Sequence, residues 1–93
     1  MADYVKAKIV RIMESGSCPM GLKVGDEFEL GPTTPKGLCS WAYNAMLPFA
    51  TVLRFGGRFP WQESDTVEVC CPDANNPVVF ELKAVAVEEA GSD

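Results

Sequence analysis

Apolar residues between Gly37 and Trp61 recur at spacings of three and four, the period of one face of an α-helix. The stripe stops at Gly56-Gly57, and glycine often ends a helix because it enters the left-handed conformation without steric cost. We therefore predict that the fold is organised around this helical segment, and that at least one of the two glycines has a positive φ. The stripe consists of Cys39, Ala42, Met46, Phe49 and Leu53.

Pro48 interrupts the predicted helix. Proline has no backbone N–H to donate and its ring clashes with the preceding turn, but it suits the first position of a helix. The pattern therefore predicts a helix from about Leu38 to Leu47, a kink or restart at Pro48, and a second, short helix through about Phe55.

Four other stretches alternate between apolar and polar residues, which is the period of a β-strand with one buried face. The predicted strands are Tyr4 to Met13, Asp26 to Leu30, Thr66 to Cys71, and Val78 to about Val87. In the first strand, Arg11 breaks the apolar face. The predicted core positions are Val5, Ala7, Ile9, Met13, Phe28, Leu30, Val67, Val69, Cys71, Val78, Phe80, Leu82 and Ala84.

Loops rich in glycine, proline and serine separate these elements. The sequence PDANNP between the last two strands is typical of a tight turn and predicts an antiparallel hairpin. Glu14 to Gly25, Gly31 to Lys36 and Arg58 to Ser64 are predicted loops. In the last of these, the rigid apolar run Phe59-Pro60-Trp61 is expected to pack on the core as a lid.

The element order β-β-α-β-β indicates an α+β fold. One four-stranded, mainly antiparallel sheet covered by one kinked helical segment would bury every apolar face. We predict a single domain over residues 1–93, ordered over about 4–87, with an acidic tail at 88–93.

Composition and charge argue against two classes of binding partner. The chain has 93 residues, 47% of them hydrophobic, which suffices for one small core. Its net charge is −5 and its eight basic residues form no run. Nucleic acids and anionic membranes bind clustered Lys and Arg, so neither is an expected partner. The N-terminal residues show no signal peptide and no apolar run is long enough to cross a bilayer, so we expect a cytoplasmic protein with reduced thiols.

Conventional catalytic motifs are not found in the sequence. The chain contains no histidine, which excludes Ser-His-Asp and Cys-His catalysis and removes the commonest general base. It also has no P-loop, GxGxxG or GxSxG sequence. An enzyme is therefore the function class with the least support.

The four cysteines, Cys18, Cys39, Cys70 and Cys71, are the main candidates for chemistry. Four thiolates suffice for a zinc ion or a small iron–sulfur cluster, although their spacing differs from the usual CxxC pairs. A redox-active pair and simple buried thiols are the alternatives.

The predicted elements suggest which cysteines meet. Cys39 begins the helical stripe and Cys71 shares a face with the core positions of its strand. Cys18 lies in a loop that joins two strands near a sheet end, so these three are expected to converge. Adjacent strand residues point to opposite faces, so Cys70 is the doubtful fourth ligand and the most reactive thiol if no metal binds.

Aromatic and basic side chains supply a second candidate site. Trp41, Phe59 and Trp61 could line a pocket or a partner surface, or simply belong to the core. Arg54 and Arg58 flank Gly56-Gly57, where they could present a small anion, stack on Trp61 or remain solvated.

Several short motifs resemble those of a known family. The order G-x-C-x-x-A at Gly37 to Ala42, L-R-F-G-G-x-F-P-W at Leu53 to Trp61, and the pair Cys70-Cys71 is similar to that of a small family of uncharacterised prokaryotic proteins of like length. The resemblance extends from Val5 to about Val85. It implies that the cysteines and the LRFGG-FPW block are family features, and it implies no activity.

Two function classes remain from the sequence. The first is a non-enzymatic binding or accessory module that uses Trp41, Phe59 and Trp61 and recognises a protein or small molecule. The second is a thiolate protein that binds a metal or performs redox work through its cysteines.

Overall fold

Four strands and one helix follow one another as predicted. The elements are β1 Tyr4–Ile12, β2 Glu27–Leu30, α1 Ser40–Arg54, β3 Thr66–Cys70 and β4 Val78–Val85. This computed structural model describes residues 2–13, 20–61 and 66–86. The predicted tail at 88–93 and parts of two predicted loops lie outside the described residues.

The strands form one antiparallel sheet in the order β2-β1-β4-β3. The two hairpin partners β3 and β4 are adjacent, as the turn sequence predicted, and α1 packs on β3, β4 and β1. The α+β fold with a four-stranded antiparallel sheet is thus confirmed.

The core lies between α1 and the inner face of the sheet. Strand alternation places one apolar side chain in every two against the helix, and the helical stripe supplies the opposing layer. Among the described residues, every buried side chain between the helix and the sheet is apolar. The largest fully buried ones are Phe80, Ile9, Met46, Leu53, Leu82, Val5, Val67 and Val78.

β1 contains an irregularity at Val10 that the alternation did not predict. Ile9 pairs with Phe80 and Arg11 pairs with Val79, so β1 advances by two residues while β4 advances by one. This is a β-bulge, in which one extra residue leaves the ladder and shifts the facing of all that follow.

Because of the bulge, the residues at the end of β1 face the opposite way from the prediction. Ile12 rather than Arg11 packs against the core. Arg11 instead lies on the outer face, where its guanidinium pairs with the carboxylate of Glu68 at 2.9 Å. The prediction that Met13 shares the core face is wrong, since its side chain is 45% exposed.

α1 is a single helix that continues through Pro48, so the predicted restart at that residue is wrong. A proline inside a helix costs about 3 kcal/mol relative to alanine. Each large apolar side chain buried on the core stripe contributes about 1.5–3 kcal/mol, and the stripe extends on both sides of Pro48. The buried stripe residues are Ala42, Met46, Ala50 and Leu53.

The helix ends at a glycine in the left-handed region, as predicted. Gly56 has a φ of 91° and its N–H donates to the carbonyl of Leu53 at 3.1 Å. The N–H of Gly57 donates to the carbonyl of Val52 at 2.8 Å. These two bonds satisfy carbonyls that a helix end otherwise leaves unpaired.

The sheet face opposite the helix is charged. Lysines of β1 are in register with glutamates of β2, and Lys6 lies 3.9 Å from Glu27. The sheet therefore packs against the helix on one face and is exposed to solvent on the other. The charged residues on this face are Lys6, Lys8, Arg11, Glu27, Glu29, Glu68, Glu81 and Lys83.

Candidate functional site

Three segments meet beside the N-terminal end of α1 and enclose a cleft of about 320 Å³. They are the segment after residue 20, the first turn of the helix, and the connection between β3 and β4. We call this cleft the thiol cavity. It is lined by Met20, Leu22, Cys39, Ser40, Trp41, Ala42, Cys71, Asp73 and Val78.

Cys71 reaches the cavity because β3 ends one residue before it. The N–H of Cys71 donates to the carbonyl of Val78 at 2.9 Å, and the N–H of Val78 donates to Sγ of Cys71 at 3.3 Å. The thiol in turn donates to the carbonyl of Asn76, with 3.9 Å between sulfur and oxygen. The sulfur is therefore held against the connection while the side chain remains half-buried.

Cys39 is the residue that precedes the first turn of α1. Its backbone is extended, with φ −60° and ψ 136°, and its side chain makes no capping hydrogen bond. Its carbonyl accepts the N–H of Tyr43 at 2.9 Å, the first bond of the helix. The side chain is half-buried. It contacts the core and also lines the cavity.

Cys70 lies outside the cavity on the exposed side of β3. Its thiol donates to the carbonyl of Cys71, with 3.2 Å between sulfur and oxygen. Partial desolvation raises the pKa of the Cys70 thiol above its ordinary value, and the neighbouring Cys71 raises it further. Arg11 opposes this shift by stabilising the thiolate.

The structure thus brings Cys39 and Cys71 to one cavity and leaves Cys70 apart from it. Cys18 lies outside the described residues, so its predicted convergence stays a prediction. Over residues 2–13, 20–61 and 66–86, no three Cys, Asp or Glu side chains gather closely enough to hold a metal ion. A zinc or iron–sulfur site would need ligands in addition to the two cysteines of the cavity.

The three candidate aromatic residues are divided between two places. Trp41 lines the cavity and is 62% exposed. Phe59 is half-buried and its ring lies 5.6 Å from that of Phe49 and 5.1 Å from that of Trp61, measured between centroids. Trp61 itself is 63% exposed.

The predicted lid is therefore wrong in its extent. Phe59 packs on the core, whereas Pro60 and Trp61 are exposed. The ring of Trp61 contacts that of Phe59 at a tilt of 36°, while most of its surface is exposed. Of the three residues predicted to form the lid, Phe59 alone packs against the core.

Neither candidate arginine lines the cavity. The guanidinium of Arg54 lies 5.2 Å from the ring centroid of Phe55. Arg58 donates to the carbonyl of Gly57 at 2.7 Å. Both side chains thus contact the helix end and its turn.

Most residues of the cavity wall could not be identified from the sequence. Asp73 had a recognisable signal, because aspartate near the start of a turn accepts hydrogen bonds from the next backbone amides. Its carboxylate accepts the N–H of Asn75 at 3.0 Å and that of Asn76 at 3.3 Å. The contributions of Met20, Leu22 and Val78 depend on how distant segments pack, and local patterns carry no signal for that.

No protein-family model, curated protein or solved structure matches this chain. The resemblance in motif order therefore stays a prediction. No helix among the described segments has the extent and apolar character needed to cross a bilayer.

The cavity wall is suited to binding. It combines apolar surfaces, two thiols and one thioether with a single carboxylate, that of Asp73. Clefts of this kind hold apolar groups and use a few polar atoms for orientation. Among the described residues that line the wall there is no lysine, and the chain has no histidine.

Proposed function

We propose that this protein is a non-enzymatic binding module whose ligand inserts an apolar group into the thiol cavity. The observation that supports this most is the cavity itself. Seven of its nine lining residues are apolar or thiol-bearing, and the large ring of Trp41 stands exposed at its wall. An exposed tryptophan beside an apolar cleft is a common anchor for ligands and for partner side chains.

The volume limits the size of the inserted group. A protein cavity of about 150 Å³ accommodates a benzene molecule. The thiol cavity, at about 320 Å³, is roughly twice as large. It therefore suits a bicyclic aromatic group, a chain of about eight carbons, or one large side chain of a protein partner.

Charge favours neutral and cationic ligands. Asp73 carries the one carboxylate among the described residues that line the wall, and the whole chain has a net charge of −5. An anionic group would approach against this field, whereas an ammonium group would be attracted. The same charge supports our proposal that nucleic acids and anionic membranes are not partners.

A second candidate function arises from the two thiols. Cys39, Cys71 and the thioether of Met20 line the same wall, and soft sulfur ligands favour Cu(I) and other thiophilic species. The N–H of Val78 donates to Sγ of Cys71 at 3.3 Å, which holds the sulfur in place at the cavity wall. This thiolate function would use the same cavity as the binding function.

Octyl compounds of equal chain length can test the proposed ligand class. In a Trp61→Phe variant, Trp41 is the sole tryptophan and reports on the cavity by its fluorescence. We expect octylammonium and octanol to change the emission saturably, and octanoate to bind at least several-fold more weakly. Equal binding of all three, or no saturable change, would contradict the proposal.

A matched pair of variants locates the binding. Ser40 lines the cavity at the exposed start of α1, so Ser40→Phe should fill the cleft and abolish the response. Thr33 is exposed and does not line the cavity, so Thr33→Phe should bind as the parent does. Titration with Cu(I) under anaerobic conditions, compared with Cys39→Ser and Cys71→Ser, tests the thiolate function separately.

A further inference from the structure

The thiol cavity contains two cysteines whose sulfurs are not equivalent. Sγ of Cys71 accepts the N–H of Val78, and its thiol donates to the carbonyl of Asn76, so both the sulfur and its proton are engaged. The thiol of Cys39 makes no capping bond and, within the part of the chain that the structure describes, no other hydrogen bond. Of the two nucleophiles on this wall, Cys39 is therefore the one available to a ligand.

The N-terminal end of α1 adds hydrogen-bond donors to the same wall. The first bond of the helix runs from the N–H of Tyr43 to the carbonyl of Cys39. The three N–H groups before it, those of Ser40, Trp41 and Ala42, have no carbonyl to bond within the helix. No side chain of the cap residue bonds this end, and its first turn has no acidic residue. Since these three residues line the cavity, donors and an available thiol belong to one site.

Two opposite electrostatic influences act on the polar group of a ligand in this cavity. Unpaired N–H groups at the start of a helix attract oxygen atoms that carry negative or partly negative charge. The carboxylate of Asp73 and the net charge of −5 oppose a full anion. A neutral carbonyl oxygen satisfies both conditions, because it accepts hydrogen bonds without carrying a net charge. The polar group that suits this wall is thus an uncharged ketone or aldehyde.

We propose that the thiol cavity is a covalent binding site for uncharged α,β-unsaturated carbonyl compounds, and that Cys39 forms the bond. The volume of the cavity suits a ligand of about eight carbons. This inference rests on the proposed function, because the same apolar wall must first hold the chain. It adds a reactive group to the ligand, which reversible binding alone does not require.

The reaction is a conjugate addition. The sulfur of Cys39 bonds to the β-carbon, the carbon–carbon double bond opens, and its electron pair moves towards the carbonyl oxygen to give an enolate. The N–H groups at the start of α1 stabilise that oxygen as its charge develops. The thiol loses one proton and the α-carbon gains one, with water as the carrier, so the step needs no oxidant, reductant or leaving group. The product is a thioether that remains in the cavity.

The apolar chain of the ligand determines which cysteine reacts. Cys70 is exposed, so a small reagent with no affinity for the cavity should reach it first. A ligand whose chain is held in the cavity is instead concentrated beside Cys39, which raises the rate there without any change in intrinsic reactivity. Cys71 shares the cavity, but its sulfur is engaged and should react later. The order of labelling should therefore change with chain length.

Two vinyl ketones with the same reactive group and different chains test the proposal. Oct-1-en-3-one has four more methylene groups than but-3-en-2-one, and each buried methylene favours binding. Mass-spectrometric mapping of the native protein at short times gives the ratio of labelling at Cys39 to labelling at Cys70. We expect this ratio to be at least about tenfold higher with the octenone than with the butenone. Excess octanol should lower the octenone ratio by occupying the cavity, and Cys71→Ser should still be labelled at Cys39.

A matched pair of variants locates the reaction. Ser40→Phe should reduce the octenone ratio to that of the butenone, whereas Thr33→Phe should label as the parent does. The inference is overturned if the two ketones give the same ratio, if Cys71 is labelled in preference to Cys39, or if octanol gives no protection. The emission of Trp41 then separates the two proposals. If octanol still changes it saturably, the cavity binds ligands and only the covalent step is refuted, whereas loss of both responses refutes both.

Discussion

Cys39 and Cys71 line the same cavity, although one precedes the helix and the other follows β3. Their sulfurs are in different situations. Sγ of Cys71 accepts the N–H of Val78 and donates to the carbonyl of Asn76, while Cys39 makes no capping bond. Cys70, one residue from Cys71, belongs to the exposed side of the strand. Two consecutive residues at the end of β3 thus place one thiol in the cavity and the other on the surface.

Alkylation should distinguish the three described thiols. On the native protein we expect Cys70 to react faster than Cys39 and Cys71, because its side chain is exposed and theirs are half-buried. Mass-spectrometric mapping at short times measures the order. Equal labelling of all three would show that the cavity thiols are as accessible as the surface thiol, which would contradict their placement.

The rate at Cys70 should also depend on pH in a particular way. Its pKa is raised by desolvation and by Cys71, so less thiolate is present at a given pH than for an ordinary thiol, and the rate should still rise above about pH 9. Arg11 lowers this pKa, so Arg11→Gln should slow alkylation at pH 8. Lys83→Gln, further along the same face, is the control and should have little effect.

Replacing Pro48 should stabilise the domain. Pro48 lies inside a continuous helix on its exposed face, so Pro48→Ala restores a backbone donor and loses little packing. We expect the free energy of unfolding to rise by about 1–3 kcal/mol. Urea denaturation measures the change. A loss of stability would mean that the proline makes a contact that alanine cannot replace.

The two glycines after α1 should respond to alanine for different reasons. Gly56→Ala places a side chain at a φ of 91° and should cost about 1 kcal/mol. A Cβ on Gly57 would lie 2.6 Å from Cγ1 of Val52, so Gly57→Ala should destabilise through a clash. Val52→Ala should relieve part of the second cost and none of the first.

Thermal unfolding of these variants gives the comparison. Gly31→Ala is the control, because its Cβ would meet Tyr4 and Asp3 at ordinary contact distances. If Val52→Ala rescued Gly56→Ala as well as Gly57→Ala, the assignment of strain to one glycine and of a clash to the other would be wrong.

The sheet and its inner face could be predicted from the sequence, because strand alternation with period two is a local pattern. Phe80 and Leu82 in β4 show this, as both are fully buried as expected. The bulge at Val10 could not be predicted, since it depends on which residues of β4 face β1. The one local sign of an irregularity was Arg11, because simple alternation would place this charged residue on the apolar face.

The continuity of the helix and most of the cavity could not be predicted from the sequence. Local propensity favoured a restart at Pro48, but packing of the apolar stripe on both sides of the proline outweighs its cost. The cavity combines segments remote in sequence, so of its wall only Cys39, Trp41 and Cys71 were identified as candidates. The side chains that complete it, such as Met20 and Val78, have no local feature that distinguishes them from core residues.

Chemical-shift mapping with octylammonium is the most direct test of the claim that the thiol cavity is the binding site. In ¹⁵N-labelled protein, we expect saturable shifts at the amides of Leu22, Ala42 and Cys71, which line the cavity. Ser40→Phe should abolish them and Thr33→Phe should not. Shifts confined to Trp61 and its neighbours or to the charged sheet face, or shifts that persist in Ser40→Phe, would contradict the account.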